Sequence, residues 1–421
     1  MSMHIVILGA GLAGITSAWE CLRDGHEVTV LDRAETPANF TSRANAGLIA
    51  PGHAFAWASP SVPRIMLRSL WRNDQAVRYR PSANPRQWRW LMQFLGQCTA
   101  DKARTNTLRK TRLCQYSQSR LHTVAQETDF HYDHNTGGLI YFYRSDQSFE
   151  AAAVKSEILT SAGVNIEILD RQQVIARDPG LADAREVIAG ALFVPTDESG
   201  DARTFTHALA ERCRERGADV QMQTEITGFS KKDNRVAAVN TSRGPVNGDL
   251  FVLALGVFSP MLSRQLGFSL PIYPVKGYSV TLPATNQDLL PRFGGVDEDN
   301  LLAYCPMGNR LRITATAEIG SYSTQHQPGD FRVMLAKTQD LMPHAADFSK
   351  PDYWAGLRPM TPTGLPLIGG TRWSNVWLNT GHGHMGWTMS CGSARILADL
   401  ITGQPPEIPL DGMDPVSMRN H

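Results

Sequence analysis

Residues 4–32 constrain this chain more than any other stretch. The apolar run His4-Ile5-Val6-Ile7-Leu8 leads into Gly9-Ala10-Gly11-Leu12-Ala13-Gly14, a helical pattern continues to Gly25, and a second apolar run, Glu27–Leu31, ends at Asp32. This is a βαβ pattern with GxGxxG spacing in its turn and an acid at the tip of the second strand. Gly9 permits the tight turn, Gly11 lets the backbone approach a pyrophosphate, and Gly14 lets helix and strand pack closely. The free N–H groups at the helix start favour phosphate charge, and Asp32 offers acceptors to a ribose diol. A glycine-rich turn without a ligand would leave the acid unexplained, so a dinucleotide-binding unit is expected.

At 421 residues the chain has room for two or three core-forming units. Forty-one basic against forty acidic residues give a net charge of +1, so no overall field selects nucleic acid. The six cysteines, Cys21, Cys98, Cys114, Cys213, Cys305 and Cys391, are scattered without a CxxC pair. They read as reduced thiols, with neither a disulfide framework nor a metal site. No basic leader with a small-residue cleavage site precedes the first strand, and no apolar run approaches eighteen residues. A cytoplasmic protein is expected.

Nucleotide-unit character returns twice. A helical pattern over Phe205–Arg216 is closed by Gly217 and leads through Asp219–Gln223 and Ile226 to the apolar run Leu250–Gly256. Further on, the strand pattern Asn375–Asn379 enters the turn Thr380-Gly381-His382-Gly383-His384-Met385-Gly386 and a closing helix. Between these lie a basic, tryptophan-containing stretch, a β-rich segment at 138–143, and alternating strands at Tyr278–Leu282 and Leu311–Ala317. The expectation is an α/β, two-domain protein: a Rossmann-like domain from residues 1–60, 190–268 and 350–421, interleaved with a mixed β-sheet substrate domain from 61–189 and 269–349. An NAD domain is usually one contiguous block. A nucleotide element some two hundred residues downstream and a third at the C-terminal helix suit a long, extended FAD instead.

The stretches GAGLAG with LDR, TSRANAGLIAPG, QWRWLMQFLGQC, RTFTHALA, YPVKGYSVTLP, and GLRPMTPTGLPLIG followed by LNTGHGHMGWTMSCGS run across nearly the whole chain. In them the sequence resembles the D-amino acid oxidase/glycine oxidase superfamily of FAD-dependent amine oxidoreductases, and within it the bacterial D-amino acid dehydrogenases. The resemblance implies non-covalent FAD, with the pyrophosphate at Gly9–Gly14 and the adenosine ribose at Asp32 beside Arg33. Ser42, Asn45, Ala46, Gly47 and Leu48 would lie along the phosphates and flavin, Ile226 would meet the adenine through its backbone, and Gly256 would close the strand crossing beneath. His382, Gly383, Met385, Gly386, Trp387 and Thr388 would cradle the flavin.

For substrate, the resemblance points to Arg358 of the GLRP motif, whose guanidinium matches a planar carboxylate in a desolvated pocket. His384 stands where the dehydrogenases usually carry a small polar residue and glycine oxidase-type proteins an arginine; it either hydrogen-bonds substrate or caps its turn. His53 stands where relatives often have tyrosine. Tyr304 is either an active-site aromatic or a core tyrosine, and Lys276 is either structural or a support behind the substrate-contacting residues. Neither a Ser/His/Asp set nor paired carboxylates are evident, which suits hydride transfer from Cα to flavin N5, since no side chain must then remove the Cα proton. The imino acid would hydrolyse to a 2-oxo acid and ammonia.

Residues 62–96 hold seven arginines (Arg64, Arg68, Arg72, Arg78, Arg80, Arg86, Arg89) against Asp74, with Trp71, Trp88 and Trp90 interleaved. Such a stretch either contacts an anionic bilayer peripherally, on the inner face of the cell membrane, or is an ordinary basic surface with tryptophans packed inward. The resemblance adds a membrane quinone, or another electron-transfer partner, as acceptor. The expected activity is FAD-dependent oxidative deamination of D-amino acids. Its alternatives are an oxidase or dehydrogenase of glycine, sarcosine, D-proline, D-hydroxyproline or N-substituted amino acids, favoured by the departure of 300–313 from the dehydrogenase pattern, and a non-catalytic flavin-binding relay subunit.

Overall fold

The run His4–Leu8 becomes the buried centre of a sheet because four of its five residues are apolar and both its neighbours run parallel to it. Parallel strands need crossovers that cover both faces, so a nearly continuous apolar strand is the sequence that suits the position. In a computed structural model that describes residues 2–69 and 77–415, the sheet order is Leu367–Gly370, Val376–Thr380, Leu250–Leu253, His4–Leu8, Glu27–Leu31, Asp219–Gln221, with only the first pair antiparallel. The chain leaves His4–Leu8 toward Glu27–Leu31 on one side and returns through Leu250–Leu253 on the other. The crevice at the carboxyl end of His4–Leu8 is therefore the place where such sheets bind ligands.

A second, nine-stranded mixed sheet runs in the order Asp352–Met360, Tyr273–Pro283, Arg310–Ile319, Leu302–Met307, Gly294–Asp297, Leu139–Tyr143, Gly190–Val194, Glu167–Asp170, with Val77–Tyr79 beside Arg310–Ile319. Two of its strands cross the expected domain boundaries. Gly190–Val194 pairs with Leu139–Tyr143, and Asp352–Met360 pairs with Tyr273–Pro283, so both belong to the mixed sheet although the sequence pattern grouped them with the nucleotide unit. Short apolar strands look alike whichever sheet takes them, and only pairing distinguishes them. The strand carrying Arg358 is one of the two.

The helices Leu12–Arg23 and Gly386–Thr402 pack against each other behind the nucleotide sheet, and both begin at the crevice. Arg395 locks them. Its guanidinium reaches Glu20 at 2.9 Å, Asp24 at 2.5 Å and Asp399 at 2.8 Å, and Glu20 is 1% exposed. Because the pair is held from both ends of the chain, the two helix starts keep a fixed separation. The long helix Ala100–Thr128 lies across the last of these helices and supports the loop after Leu48–Ile49: Ala56 N donates to Thr107 Oγ1 at 2.9 Å, and the Lys110 ammonium donates to the Phe55 carbonyl. Trp71, Arg72 and Asp74 of the basic stretch lie outside the described residues.

Candidate functional site

One cavity of about 750 Å³ runs from the glycine turn, between the two sheets, to the floor of the mixed sheet. At its nucleotide end Gly9 adopts φ +113°, and a Cβ on Gly14 would lie 1.8 Å from the Gly9 carbonyl oxygen, so no side chain fits there. Gly14 and Ala10 stay behind the cavity wall, while Gly9, Gly11, Leu12 and Ala13 form it. Asp32 faces the cavity and also fastens the turn: Oδ2 accepts from Ala10 N and Oδ1 from Ala34 N, each at 2.8 Å. A carboxylate has about four lone-pair directions, so capacity for a further donor remains. Arg33 lies over the rings of Phe40 and Phe258, and Ser42 Oγ accepts from Leu12 N at 3.2 Å at the helix start.

Further along, Asn45 Oδ1 accepts from Gly47 N, which shapes the Asn45–Leu48 turn, and Thr388 Oγ1 accepts from Ala50 N. Ile226 and Gly256 reach the cavity from separate elements, and the turn His382–Thr388 closes it. The N-cap residues of both helices, Gly11 and Met385, make no side-chain cap. Helix N–H groups at two points of one elongated cavity, with an acid at one end, fit a molecule carrying a ribose, phosphates and a polar ring edge. FAD has those groups in that order, and none of the six cysteines lines the cavity.

His382 is 5% exposed, with Nε2 2.8 Å from Ser393 Oγ; burial lowers its pKa to about 4. His384 turns into the cavity, with its ring centroid 6.1 Å from that of Trp57. Desolvation first, then the charges of Lys110, His53 and Arg358, hold it well below the usual imidazole range, so it is neutral at pH 7.

At the mixed-sheet end, Arg358 faces the cavity from strand Asp352–Met360. Its placement is built by two features that sequence inspection missed. A Cβ on Gly277, on the neighbouring strand, would lie 2.6 Å from the guanidinium carbon, so only glycine leaves room. The register between Tyr273–Pro283 and Arg310–Ile319 slips at Gly277/Tyr278, leaving Thr316 as the extra residue of a bulge at φ +64°, and its carbonyl accepts from Arg358 Nη1 at 3.1 Å. Among the described residues no carboxylate pairs with Arg358, and desolvation lowers its pKa to about 10. The guanidinium is therefore still charged at neutral pH.

His53 also faces the cavity, with Nε2 2.6 Å from Glu298 Oε1 and its ring stacked on Tyr141 at 5.0 Å. Burial pushes the Glu298 carboxyl up, but His53 and Lys155 outweigh it and hold the group below the ordinary range. Tyr304 is a correction. It is 0% exposed, packs near Phe142 in the core of the mixed sheet, and does not reach the cavity. Side chains alternate along Leu302–Met307, so Ala303 faces the cavity and Tyr304 the opposite side. Lys276 donates to the Gln325 carbonyl and does not line the cavity. Trp57, Met66, Phe94, Lys155, Glu298 and Thr316 line it without having been singled out. Glu298 follows the strand Gly294–Asp297 in the acidic run Asp297-Glu298-Asp299, where nothing in the sequence sets it apart from its neighbours.

The family model described as FAD dependent oxidoreductase matches residues 4–400. "D-amino acid dehydrogenase 2" of Mesorhizobium japonicum is 43% identical over 412 residues, covering 98% of this chain and 99% of that protein. "D-amino acid dehydrogenase" of Agrobacterium fabrum is 43% identical over 406 residues, covering 96% and 97%. Among solved structures, glycine oxidase from Geobacillus kaustophilus superposes with a TM-score of 0.77 at 22% identity, over 98% of each chain. With nearly the whole chain matched, this chain belongs to the FAD dependent oxidoreductase family.

Proposed function

We propose that the chain is a D-amino acid dehydrogenase that oxidises its substrate to the 2-imino acid, which water converts to a 2-oxo acid and ammonia. The observation that carries this is Arg358: a charged guanidinium with no carboxylate partner among the described residues, facing the cavity that the glycine turn also lines. A substrate carboxylate supplies the missing charge, and the guanidinium fork holds it in a defined plane. Gly277 and the Thr316 carbonyl keep the fork from turning away. FAD, held non-covalently by the glycine turn and the His382–Thr388 turn, would supply the two-electron oxidation at Cα when bound. The protein's part is alignment, and a site in which the amine sheds its proton. Neutral His384 offers a lone pair there and adds no positive charge against the substrate ammonium.

The acceptor in this proposal is a membrane quinone, reached by peripheral docking through 62–96. Helices Val62–Ser69 and Pro85–Leu95 pack on one apolar cluster yet expose Leu67 (57%), Trp88 (47%) and Met92 (68%) alongside Arg64, Arg68, Arg86 and Arg89. Trp90, by contrast, is buried and donates to the Met360 carbonyl at 2.8 Å. No helix among the described residues is long and apolar enough to cross a membrane. Each basic residue near an anionic surface adds about 1 kcal/mol, screened within about 8 Å at physiological salt.

The test is anaerobic flavin bleaching over a panel of D- and L-amino acids, glycine, sarcosine and D-proline, followed by re-oxidation. Bleaching by D-amino acids, re-oxidation faster with a quinone analogue than with oxygen, and salt-sensitive binding to anionic vesicles are expected. Bleaching only by glycine or sarcosine would replace the substrate class, and no bleaching at all would leave a relay subunit. Fast re-oxidation by oxygen without vesicle binding would remove the membrane acceptor.

A further inference from the structure

Resting on the D-amino acid reading above, we infer that the substrate's side chain enters an apolar pocket beside Arg358 and that the preferred substrates carry bulky uncharged side chains. The pocket is walled by Trp57, Met66, Phe94, Ala317 and Ile319. Four of the five belong to one buried apolar cluster, in which Met66 is 5%, Phe94 1%, Ala317 7% and Ile319 1% exposed; Trp57 packs against it. Continuity with the carboxylate site comes from the backbone. The Thr316 carbonyl holds Arg358, and the next residues of the same strand, Ala317 and Ile319, are the pocket floor. Trp57 joins this wall to the cofactor turn, since its ring stands 6.4 Å from Phe94 and 6.1 Å from His384.

A substrate whose carboxylate lies on Arg358 and whose Cα lies at the cofactor turn has two directions left for its side chain. One leads past Trp57 into the apolar pocket. The other leads to His53, Glu298 and Lys155, where the charges already answer one another: Glu298 sits 2.6 Å from His53, and Lys155 lies over the Phe55 ring at 4.1 Å. A charged side chain directed there would compete with a formed pair. Every charged residue lining the cavity among the described residues, other than Arg358, stands at that end, at the His382–His384 turn or at the nucleotide end with Asp32, Arg33 and Glu225. The Trp57 pocket therefore gains from each buried methylene and has nothing to compensate a buried charge.

The experiment compares kcat/KM for D-phenylalanine, D-leucine, D-alanine, D-glutamate and D-lysine on the full-length FAD enzyme and on Trp57→Ala, Trp57→Phe and Met66→Ala. Ratios between substrates on one preparation do not depend on its folded fraction. One methylene in a hydrophobic pocket discriminates by roughly 10–200-fold. D-Phenylalanine or D-leucine should therefore exceed D-alanine by at least about tenfold, with D-glutamate and D-lysine lower still. Trp57→Ala and Met66→Ala should each shrink the phenylalanine-to-alanine ratio, by about tenfold for Trp57→Ala, and Trp57→Phe should keep most of it. A preference for D-lysine, D-glutamate or D-alanine, or a ratio unmoved by either truncation, would overturn the inference while leaving D-amino acid oxidation standing. Absence of bleaching by any D-amino acid would instead overturn the function proposed above.

Discussion

The two ends of the cavity are built differently. The nucleotide end is backbone: glycines in a turn of six residues and two helix starts, fastened by Asp32 through bonds to Ala10 N and Ala34 N. The mixed-sheet end is side chains brought from distant strands, with Arg358 held in place by Gly277 and by the bulged Thr316 carbonyl. A backbone-built site depends on the absence of side chains at a few positions. A side-chain-built site depends on strand register, so one slipped residue would turn the functional group to the other face.

If that contrast is right, the largest effect belongs to Gly14→Val. Its Cβ would lie 1.8 Å from a backbone oxygen that cannot move without opening the first turn. The variant should retain essentially no FAD, measured as flavin absorbance per chain; normal flavin content would mean that the turn is looser than its packing indicates. Arg358→Ala should do the reverse, keeping FAD while weakening substrate binding. Removing one partner of a buried charged pair costs about 2–5 kcal/mol, or roughly thirty-fold to several thousand-fold. Arg358→Lys should recover only part, since an ammonium cannot make the bidentate contact. Equal apparent affinity in all three proteins would assign the carboxylate to another group, with His384 the next candidate.

A third, similar effect is pH-dependent and tests the cofactor turn. Folded His382 titrates at about 4, below the ordinary 6.5, because burial disfavours its charged form. Between those values the unfolded chain binds a proton that the folded chain refuses, so stability falls as pH drops from 6.5 toward 4. The loss amounts to about 3 kcal/mol. In denaturant titrations of the FAD-free chain, the stability gap between the parent and His382→Gln should narrow across this window. A gap independent of pH would show that His382 is not held neutral by burial. The smallest effect concerns the bulge. A β-branched residue at φ +64° costs about 1 kcal/mol, so Thr316→Gly should stabilise the protein by that amount. A loss of stability would mean that the threonine side chain contributes more than its backbone strain costs.

Much of the nucleotide end was legible because each of its requirements is local. The strands His4–Leu8 and Glu27–Leu31, the helix between them and the acid at Asp32 all fall where spacing puts them. The closing helix, expected after Gly386, begins there. At the other end, Arg358 was singled out through its motif, but the strand that carries it was grouped with the nucleotide unit rather than the mixed sheet, and Tyr304 was offered to a cavity that its strand turns it away from. Gly277, Thr316, Trp57 and Glu298 went unread because nothing in their own neighbourhood marks them. Their importance lies in what another strand or loop places beside them.

The sequence by itself therefore determined the dinucleotide-binding unit, because glycine spacing, strand period and helix start are properties of contiguous residues whose backbone conformation follows from local sterics. The family and the cofactor came from the order of separate motifs along the whole chain and the resemblance they carry. Tertiary structure alone decided that Arg358 faces the cavity with no carboxylate partner among the described residues, which face of Leu302–Met307 meets the cavity, and that Trp57 spans the distance from His384 to Phe94. Those depend on pairing register and on burial. Both are set by contacts between residues far apart in the chain, and neither leaves a periodic trace in the residues that make them.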